Sequence, residues 1–404
     1  MKAFLFKNLS NFVLLSSLCL NFIWVANASI VQLPDLVKTS DSIIKVSFSS
    51  NDLEYEKIGK AAFFMHGQFK VVKENLADYV IRISVLEDSS ALVQISGEVN
   101  LNQQINSIDA YSSFLEALDY AINSVGKKDN LRGFFSGKFS FVGKRNNESE
   151  LYISDFFFRK IRQITFDKSL LTRAKWSPSG DELIYTSYHK SGFPDLFRLD
   201  PNTGQRSIVS AFQGTNTGGV FSPSGNRIAM TLSVDKNTDL YCLNLINKTL
   251  KRVCKTDAIE SNPSWSLDGK EIVFASDKLG QPQLYKVNSK GGPIQRIRTN
   301  ISKYCAEPDW NPINKDLILF TASNKGVFQI ALHSISEGKS LFVTSTNGGC
   351  REPIWLPDGR HFVCTERVGT QTRLILVDTI SLKLTPLHSI DFGSLSGPAF
   401  SIQN

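Results

Sequence analysis

A turn motif returns along the C-terminal two thirds of the chain at a nearly constant interval, and nothing else in the sequence restricts the fold so strongly. Trp176-Ser-Pro-Ser-Gly180 recurs as Phe221-Ser-Pro-Ser-Gly225 and Trp265-Ser-Leu-Asp-Gly269. A degenerate copy stands at Trp310-Asn-Pro-Ile-Asn314, a clear one at Trp355-Leu-Pro-Asp-Gly359, and a truncated one at Pro398-Ala-Phe400-Ser401. The aromatic anchors at 176, 221, 265, 310, 355 and 400 are separated by 45, 44, 45, 45 and 45 residues. A period of this size with four short strands per repeat specifies the blades of a β-propeller. Each Pro-x-Gly segment is a turn in which glycine supplies the positive φ.

The strands can be read inside the repeat. An apolar triplet follows each anchor by about seven residues, as Leu183-Ile-Tyr185, Ile228-Ala-Met230, Ile272-Val-Phe274, Leu317-Ile-Leu319 and Phe362-Val-Cys364. A third strand follows at Asp195-Leu-Phe197, Asp239-Leu-Tyr241, Gln283-Leu-Tyr285 and Arg373-Leu-Ile375. Nothing in this region has helical periodicity. Five repeats are complete, while the sixth begins at Phe400 with four residues left. Its missing strands are expected at Lys138–Val142, Glu150–Ser154 and Ile161–Thr165. The C-terminal strand is therefore expected to complete a split sixth blade, which closes the ring and leaves no open edge between first and last blades.

Residues 1–28 read as a secretion signal, with Lys2 and Lys7 ahead of an apolar run and Ala26-Asn-Ala28 as the cleavage pattern, so that Ser29 begins the mature chain. Leu18 occupies the place where a lipid-attachment motif at Cys19 requires a small residue. No other stretch is long and apolar enough to span a membrane. The 404 residues, 42% apolar and 21% charged, exclude wholesale disorder and a polytopic membrane protein. The signal holds two of the lysines and no Asp or Glu, so the formal charge of +7 falls to +5 on cleavage. That mild charge, without a long Lys/Arg run, gives no nucleic-acid footprint.

Residues 29–136 lack the repeat. Strands are expected at Ser42–Phe48, Tyr79–Val85 and Ala91–Ile95, and helices around Leu53–Met65 and Phe114–Val125, the second stopped by Gly126. The order is β-α-β-β-α. The fold class is therefore α+β multidomain: a signal peptide (1–28), a small N-terminal α/β domain (29–136) and a six-bladed propeller with split-blade closure (137–404).

Catalytic signatures are absent. There is no G-x-S-x-G elbow, no H-E-x-x-H and no His/Cys cluster at metal-ligand spacing, so neither a metal nor a cofactor is expected. The five histidines are scattered, and no pair of carboxylates can be set face to face as a glycosidase requires. Five cysteines remain after cleavage, without a CxxC. Cys242 and Cys254 flank Asn247-Lys-Thr249 almost symmetrically, so a hairpin would set them opposite each other. An oxidising compartment would permit a disulfide there, and the alternative is two small buried apolar residues. Cys305 and Cys350 occupy equivalent places in adjacent repeats and are expected to pack inward.

The positions just before each anchor are more informative. Three residues ahead stand Arg173, Gly218, Asn262, Glu307, Glu352 and Gly397, and prolines follow at 263, 308, 353 and 398. In a propeller these belong to the loop entering the innermost strand and ring one mouth of the central channel. They form either a recognition surface for a protein or peptide, or the polar lining of a wet channel.

A cleaved signal, a small α/β domain and W-S-P-D-G-type repeats closing six blades together resemble the TolB family of the bacterial Tol-Pal system. The segments Gly280–Asn288, Gly291–Ile297 and Glu150–Asp155 carry the likeness most strongly. The resemblance covers residues 130–404 well and 40–130 loosely. It implies a non-enzymatic, monomeric periplasmic adaptor without cofactor. Such a protein binds a Pal-like peptidoglycan-associated lipoprotein at one propeller mouth and couples to a TolA-like inner-membrane protein through the N-terminal domain. It serves outer-membrane integrity and cell division. Carried onto this chain, the partner-binding residues are Arg173, Thr215, Asn216, Ser261, Asn262, Glu307 and Glu352. The alternatives are a secreted propeller hydrolase or lyase working through channel carboxylates, and a stand-alone peptide- or sugar-binding propeller. Convergent carboxylates of perturbed pKa would mark the enzyme, and a broad rim without them the adaptor.

Overall fold

The computed structural model describes residues 43–145, 148–235 and 237–402. The signal segment and the mature start at Ser29 lie outside the described residues.

The N-terminal domain is a five-stranded sheet with two helices. Its elements are β1 (Ile44–Ser50), α1 (Leu53–His66), β2 (Phe69–Val71), β3 (Tyr79–Val85), β4 (Ala91–Gly97), β5 (Leu101–Ile105) and α2 (Ala110–Val125). The sheet order is β2-β1-β3-β4-β5, with β1 parallel to both neighbours and the rest antiparallel. Alternation in β1, β3 and β4 buries Val46, Ile81, Ile83 and Val93 against the apolar faces of the helices. Asp52 caps α1 by accepting from the Glu54 and Tyr55 amides, and Asp109 caps α2 through the Ser112 amide. Gly67, at φ 74°, ends α1. Two strands escape the sequence pattern. β2 has only three residues, and β5 is a polar edge, Leu-Asn-Gln-Gln-Ile, without apolar alternation.

The propeller has six four-stranded antiparallel sheets. Blade 1 comprises Leu171–Trp176, Leu183–Ser187, Asp195–Leu199 and Arg206–Ser210, from the channel outward. Blades 2 to 5 repeat this order from innermost strands Asn216–Phe221, Glu260–Trp265, Cys305–Trp310 and Cys350–Trp355. In the sixth sheet Ser394–Ser401 pairs antiparallel with Lys138–Arg145, followed by Glu148–Asp155 and Arg162–Gln163.

The anchors pack between blades. The Trp265 indole donates to Val220 O at 3.1 Å, and that of Trp355 to Asp309 O at 3.0 Å, each reaching the preceding blade. Trp310 instead donates to Lys315 O in its own turn. That turn lacks the glycine of the other copies and is held by the Asn311 side chain, which accepts from the Ile313 and Asn314 amides.

The two domains meet below blades 5 and 6. Arg360 holds Asp378 in a bidentate pair and donates from its remaining nitrogen to Gln68 Oε1 at 2.5 Å. Tyr111 donates to Asp155, and Asp119 of α2 accepts from the Phe135 and Ser136 amides of the linker, all at 2.7–2.8 Å.

The cysteine expectation is corrected. Cys242 lies opposite Lys251 and Cys254 opposite Leu240, because the turn centres earlier than the symmetry suggested and the register shifts at Leu240/Tyr241. All five described cysteines, including Cys305 and Cys350, are free and buried.

Candidate functional site at the channel mouth

The residues expected in an incoming loop lie within the innermost strands themselves, at a bulge common to all six blades. In blade 1 Arg173 is the extra residue. In the other five the residue three before the anchor takes a left-handed conformation, with φ of 69° at Gly218, 52° at Asn262, 56° at Glu307, 59° at Glu352 and 58° at Gly397. A bulge bends its strand and re-aims the side chain it carries. Here it carries three charged side chains into one network across the channel.

Arg173 is the centre of that network. It forms ion pairs with Glu307 and, at 3.3 Å, with Glu352, crossing from blade 1 to blades 4 and 5. Glu307 also accepts from the Thr321 hydroxyl at 2.7 Å and the Glu352 amide at 2.9 Å. Glu352 accepts from the Thr365 hydroxyl at 2.8 Å and the Gly397 amide at 2.7 Å. One layer deeper Lys175 faces Asp309 at 3.8 Å, and Asp309 accepts from the Trp355 amide at 2.8 Å.

Electrostatics follow from this wiring. Burial opposes the Arg173 charge, yet the two carboxylates outweigh it and hold the guanidinium above its ordinary range. Burial likewise opposes the Glu352 charge, and Arg173 with its hydroxyl and amide donors brings the carboxyl below the ordinary range. At the longer Lys175–Asp309 contact burial prevails on both sides, lowering the lysine and raising the aspartate. Three carboxylates thus converge in the channel, the feature expected of an enzyme. Each is engaged by a cation and by hydroxyl or backbone donors.

The other expected residues are differently placed. Asn216 is fully buried, and its amide accepts from Ser210 Oγ and the Phe212 amide while donating to Phe212 O. It shapes the 212–216 loop from beneath. Thr215 is half-buried, with its backbone clamped to Ser233. Ser261 and Asn262 line a recess of about 310 Å³ together with Thr172, Arg173, Thr217 and Ser396. Their side chains make no hydrogen bond among the described residues, and they are unspent polar groups of the mouth together with Thr172 and Ser396.

Sequence reading overlooked Lys175 and Asp309, although they are the two charges directly preceding an anchor, with opposite signs. It also overlooked Thr321 and Thr365, which recur ten or eleven residues after an anchor. The pairing of His66 with His361 at the domain junction was likewise missed: their ring centroids are 5.1 Å apart. Among the described residues no group of three or more His, Cys, Asp or Glu is arranged to hold a metal, and no helix is long and apolar enough to cross a membrane.

Fold and mouth define a class: a six-bladed propeller preceded by a small α/β domain, its channel bridged by an internal ion network beside an open polar recess. The family described as the TolB beta propeller domain matches residues 127–404, and the chain belongs to that family. The Tol-Pal system protein TolB of Francisella tularensis subsp. mediasiatica (strain FSC147) is 27% identical over 292 residues, 68% of this chain and 64% of that protein. TolB of Francisella tularensis subsp. tularensis (strain FSC 198) is 26% identical over the same length. The chain thus spans a little under two thirds of these curated relatives. Among solved structures, TolB from Acinetobacter baumannii superposes with a TM-score of 0.77 at 21% identity, over 89% of this chain and 97% of that one. A chain of the nidogen/laminin complex reaches 0.55 at 9% identity, over 66% of this chain and 99% of its own. The propeller fold by itself therefore carries no function.

Proposed function

We propose that the chain is a non-enzymatic periplasmic adaptor of the Tol-Pal system. It binds a Pal-like peptidoglycan-associated lipoprotein at the channel mouth and couples to a TolA-like inner-membrane protein through its N-terminal domain. In that role it serves outer-membrane integrity and cell division. Membership of the TolB family supports the system, and the recess with its unspent Ser261 and Asn262 supports the mouth as the place. Glu307 and Glu352 act there by holding Arg173 and the rim in shape, and Asn216 by shaping its loop. Their internal partners disfavour the hydrolase or lyase alternative, which needs one free acid and one free base or nucleophile.

The test is capture from periplasmic extract on the purified chain from Ser29, beside a Ser261→Ala/Asn262→Gly variant. Glycine removes the amide at residue 262 without straining its left-handed backbone. Capture of a peptidoglycan-associated lipoprotein that weakens in the variant is the expected result. Capture equal in both would move the site from the recess, and no such lipoprotein in the eluate would refute the adaptor reading.

A further inference from the structure

One place in the repeat is filled alike in five blades and differently in the sixth. Five residues ahead of the anchors, the innermost strands carry Leu171, Asn216, Glu260, Cys305, Cys350 and Leu395. Each pairs with a residue on the second strand of its own blade. Two residues before that partner, on the same face of the sheet, stand Tyr185, Met230, Phe274 and Phe320 in blades 1 to 4 and Phe141 in the split blade. All five are large, and each is at most 1% exposed. Blade 5 has Cys364 there instead, and the innermost-strand residue it meets is Cys350.

The register brings these two together. Cys350 lies opposite Glu366, so Cys364 is its diagonal neighbour on one face of the pair. Arg351 pairs with Thr365 and Ile354 with Val363, which sets Cys364 across from the bulge at Glu352 and Pro353. The Cys364 thiol donates a hydrogen bond to the Cys350 sulfur. That bond holds the Cys350 thiol below its ordinary range against the effect of burial. Burial, and then the same bond, raise Cys364 well above it. The Thr346 hydroxyl lies 3.5 Å from the Cys350 sulfur, and both cysteines are fully buried.

The other three cysteines are placed differently. Cys305 repeats the position of Cys350 one blade earlier, but Phe320 occupies the facing place and its sulfur meets the Thr299 hydroxyl at 3.3 Å. Cys242 and Cys254 lie opposite Lys251 and Leu240. Sulfur faces sulfur in blade 5, at the one place where the repeat gives up its large apolar side chain.

We infer that Cys350 and Cys364 are joined by a disulfide when the chain folds in an oxidising compartment, as a staple between the innermost and second strands of blade 5. The inference rests on the periplasmic part of the function proposed above for its oxidant, a thiol–disulfide oxidase of that compartment. One chain thiolate attacks the oxidase disulfide, forms a mixed disulfide and displaces one oxidase sulfur as a thiolate. The second chain thiolate attacks the chain sulfur of that mixed bond, closes the disulfide and releases the other oxidase sulfur. The chain gives up two electrons and two protons, and the oxidase takes up both as a dithiol. Burial places this exchange before blade 5 packs, and afterwards shields the bond from reductants.

The staple would close a loop from 350 to 364 that holds Glu352, Trp355, Arg360 and His361. Glu352 faces Arg173 in the channel, and Arg360 reaches Gln68 of the N-terminal domain. One covalent frame would then carry both the channel network and the domain junction. Such a bond stabilises largely by restricting the unfolded chain.

The test counts thiols on the whole protein, exported through its own signal and collected from the periplasm into acid, which stops exchange. The denatured chain is tagged with N-ethylmaleimide without reductant and weighed by mass spectrometry. Three of the five described cysteines are expected to take the tag, and all five after reduction. Trypsin leaves Cys350 on residues 340–351 and Cys364 on 361–367, so the bond appears as one linked peptide pair that separates on reduction. Cys305→Ala is expected to keep that pair, and Cys350→Ala to leave all four remaining thiols reactive. Five tags on the unreduced periplasmic protein, or a linked pair other than 350 with 364, would overturn the inference and leave the adaptor function standing. Retention of the chain in the cytoplasm would overturn the periplasmic reading and this inference with it.

Discussion

Replacement of Leu395 by alanine tests whether the C-terminal strand holds the ring closed. Leu395 lies on Ser394–Ser401, is buried, and belongs to the same apolar cluster as Phe139 and Phe141 of the strand it pairs with. The strand is anchored further by six register pairs to the Lys138–Lys144 segment and by the Phe400 ring, 4.9 Å from Phe139. Deleting the γ-methine and both δ-methyl carbons from a buried leucine costs about 2–5 kcal/mol, depending on how far the site collapses. The neighbours of Leu395 are two sheets of a closed ring, which leaves little room for collapse, so about 3 kcal/mol is expected. The assay is urea unfolding followed by tryptophan fluorescence. In the chain from Ser29, which omits Trp24, all four tryptophans are innermost-strand anchors, so the fluorescence reports the propeller alone. A frayed C-terminal strand would make the substitution nearly silent. A loss below about 0.5 kcal/mol, the range of ordinary surface changes, would refute closure by this strand. Ending the chain at Gly393 should go further, because it bares the Lys138–Arg145 edge with Phe139 and Phe141. Aggregation on gel filtration is the expected outcome.

Arg360→Ala leaves Asp378 buried without its cation and should cost about 3–5 kcal/mol. Arg360→Lys should recover little, since it cannot make the bidentate pair and the third bond to Gln68, and limited proteolysis at the domain junction reads both. Burial pushes His66 down to about 3. The unfolded chain therefore binds its proton first, and this contribution to stability is full above the ordinary histidine range and lost as pH falls towards 3. Between pH 6.5 and 5, wild type should lose about 1.6 kcal/mol relative to His66→Phe in stability from urea unfolding, and a difference that stays flat would count against a neutral buried His66. Burial raises Asp119 and Glu260 to about 6, so these two take up protons earlier in the folded state and gain stability as pH falls through that value, opposite in sign to His66. Glu307→Ala/Glu352→Ala strands Arg173 in the channel and should cost about 3 kcal/mol or more. Adding Arg173→Met should restore part of that loss, and a double-mutant cycle in which the terms simply add would show that the network is not coupled.

The propeller was legible because its signal is repeated. The Pro-x-Gly turn, the apolar triplet and the aromatic anchor each recur, so an error in one repeat is corrected by the next, and even the split blade is found by counting. The N-terminal domain offers one copy of everything. There β1, β3, β4, α1 and α2 follow from alternation, spacing and capping, while β2 and β5 do not. Phe69-Lys-Val71 is too short to show a period, and Leu101–Ile105 is an edge strand whose partner, not its composition, makes it a strand. The Cys242–Cys254 symmetry misled for a related reason: register depends on where the turn centres, and a shift of little more than one residue changes every partner.

The channel shows how far a repeat can be read chemically. Spacing placed Arg173, Asn262, Glu307 and Glu352 at equivalent positions, but equivalence in sequence says nothing about which of them meet across the axis. Meeting is decided by blade number. Arg173 stands on blade 1, and the carboxylates it reaches stand on blades 4 and 5, across the channel. Blades 2 and 3 present Gly218 and Asn262 at the same position, and no charge to answer it. The network therefore spans the channel, and the recess opens beside it, lined by Arg173 and Glu352 of the network as well as by Thr217, Ser261 and Asn262. The charged residues, which drew attention in the sequence, are spent on holding the mouth in shape. The neutral Ser261 and Asn262 remain available for contact. A repeat of similar turns becomes an asymmetric surface because only two of the five positions equivalent to Arg173 carry a carboxylate to answer it.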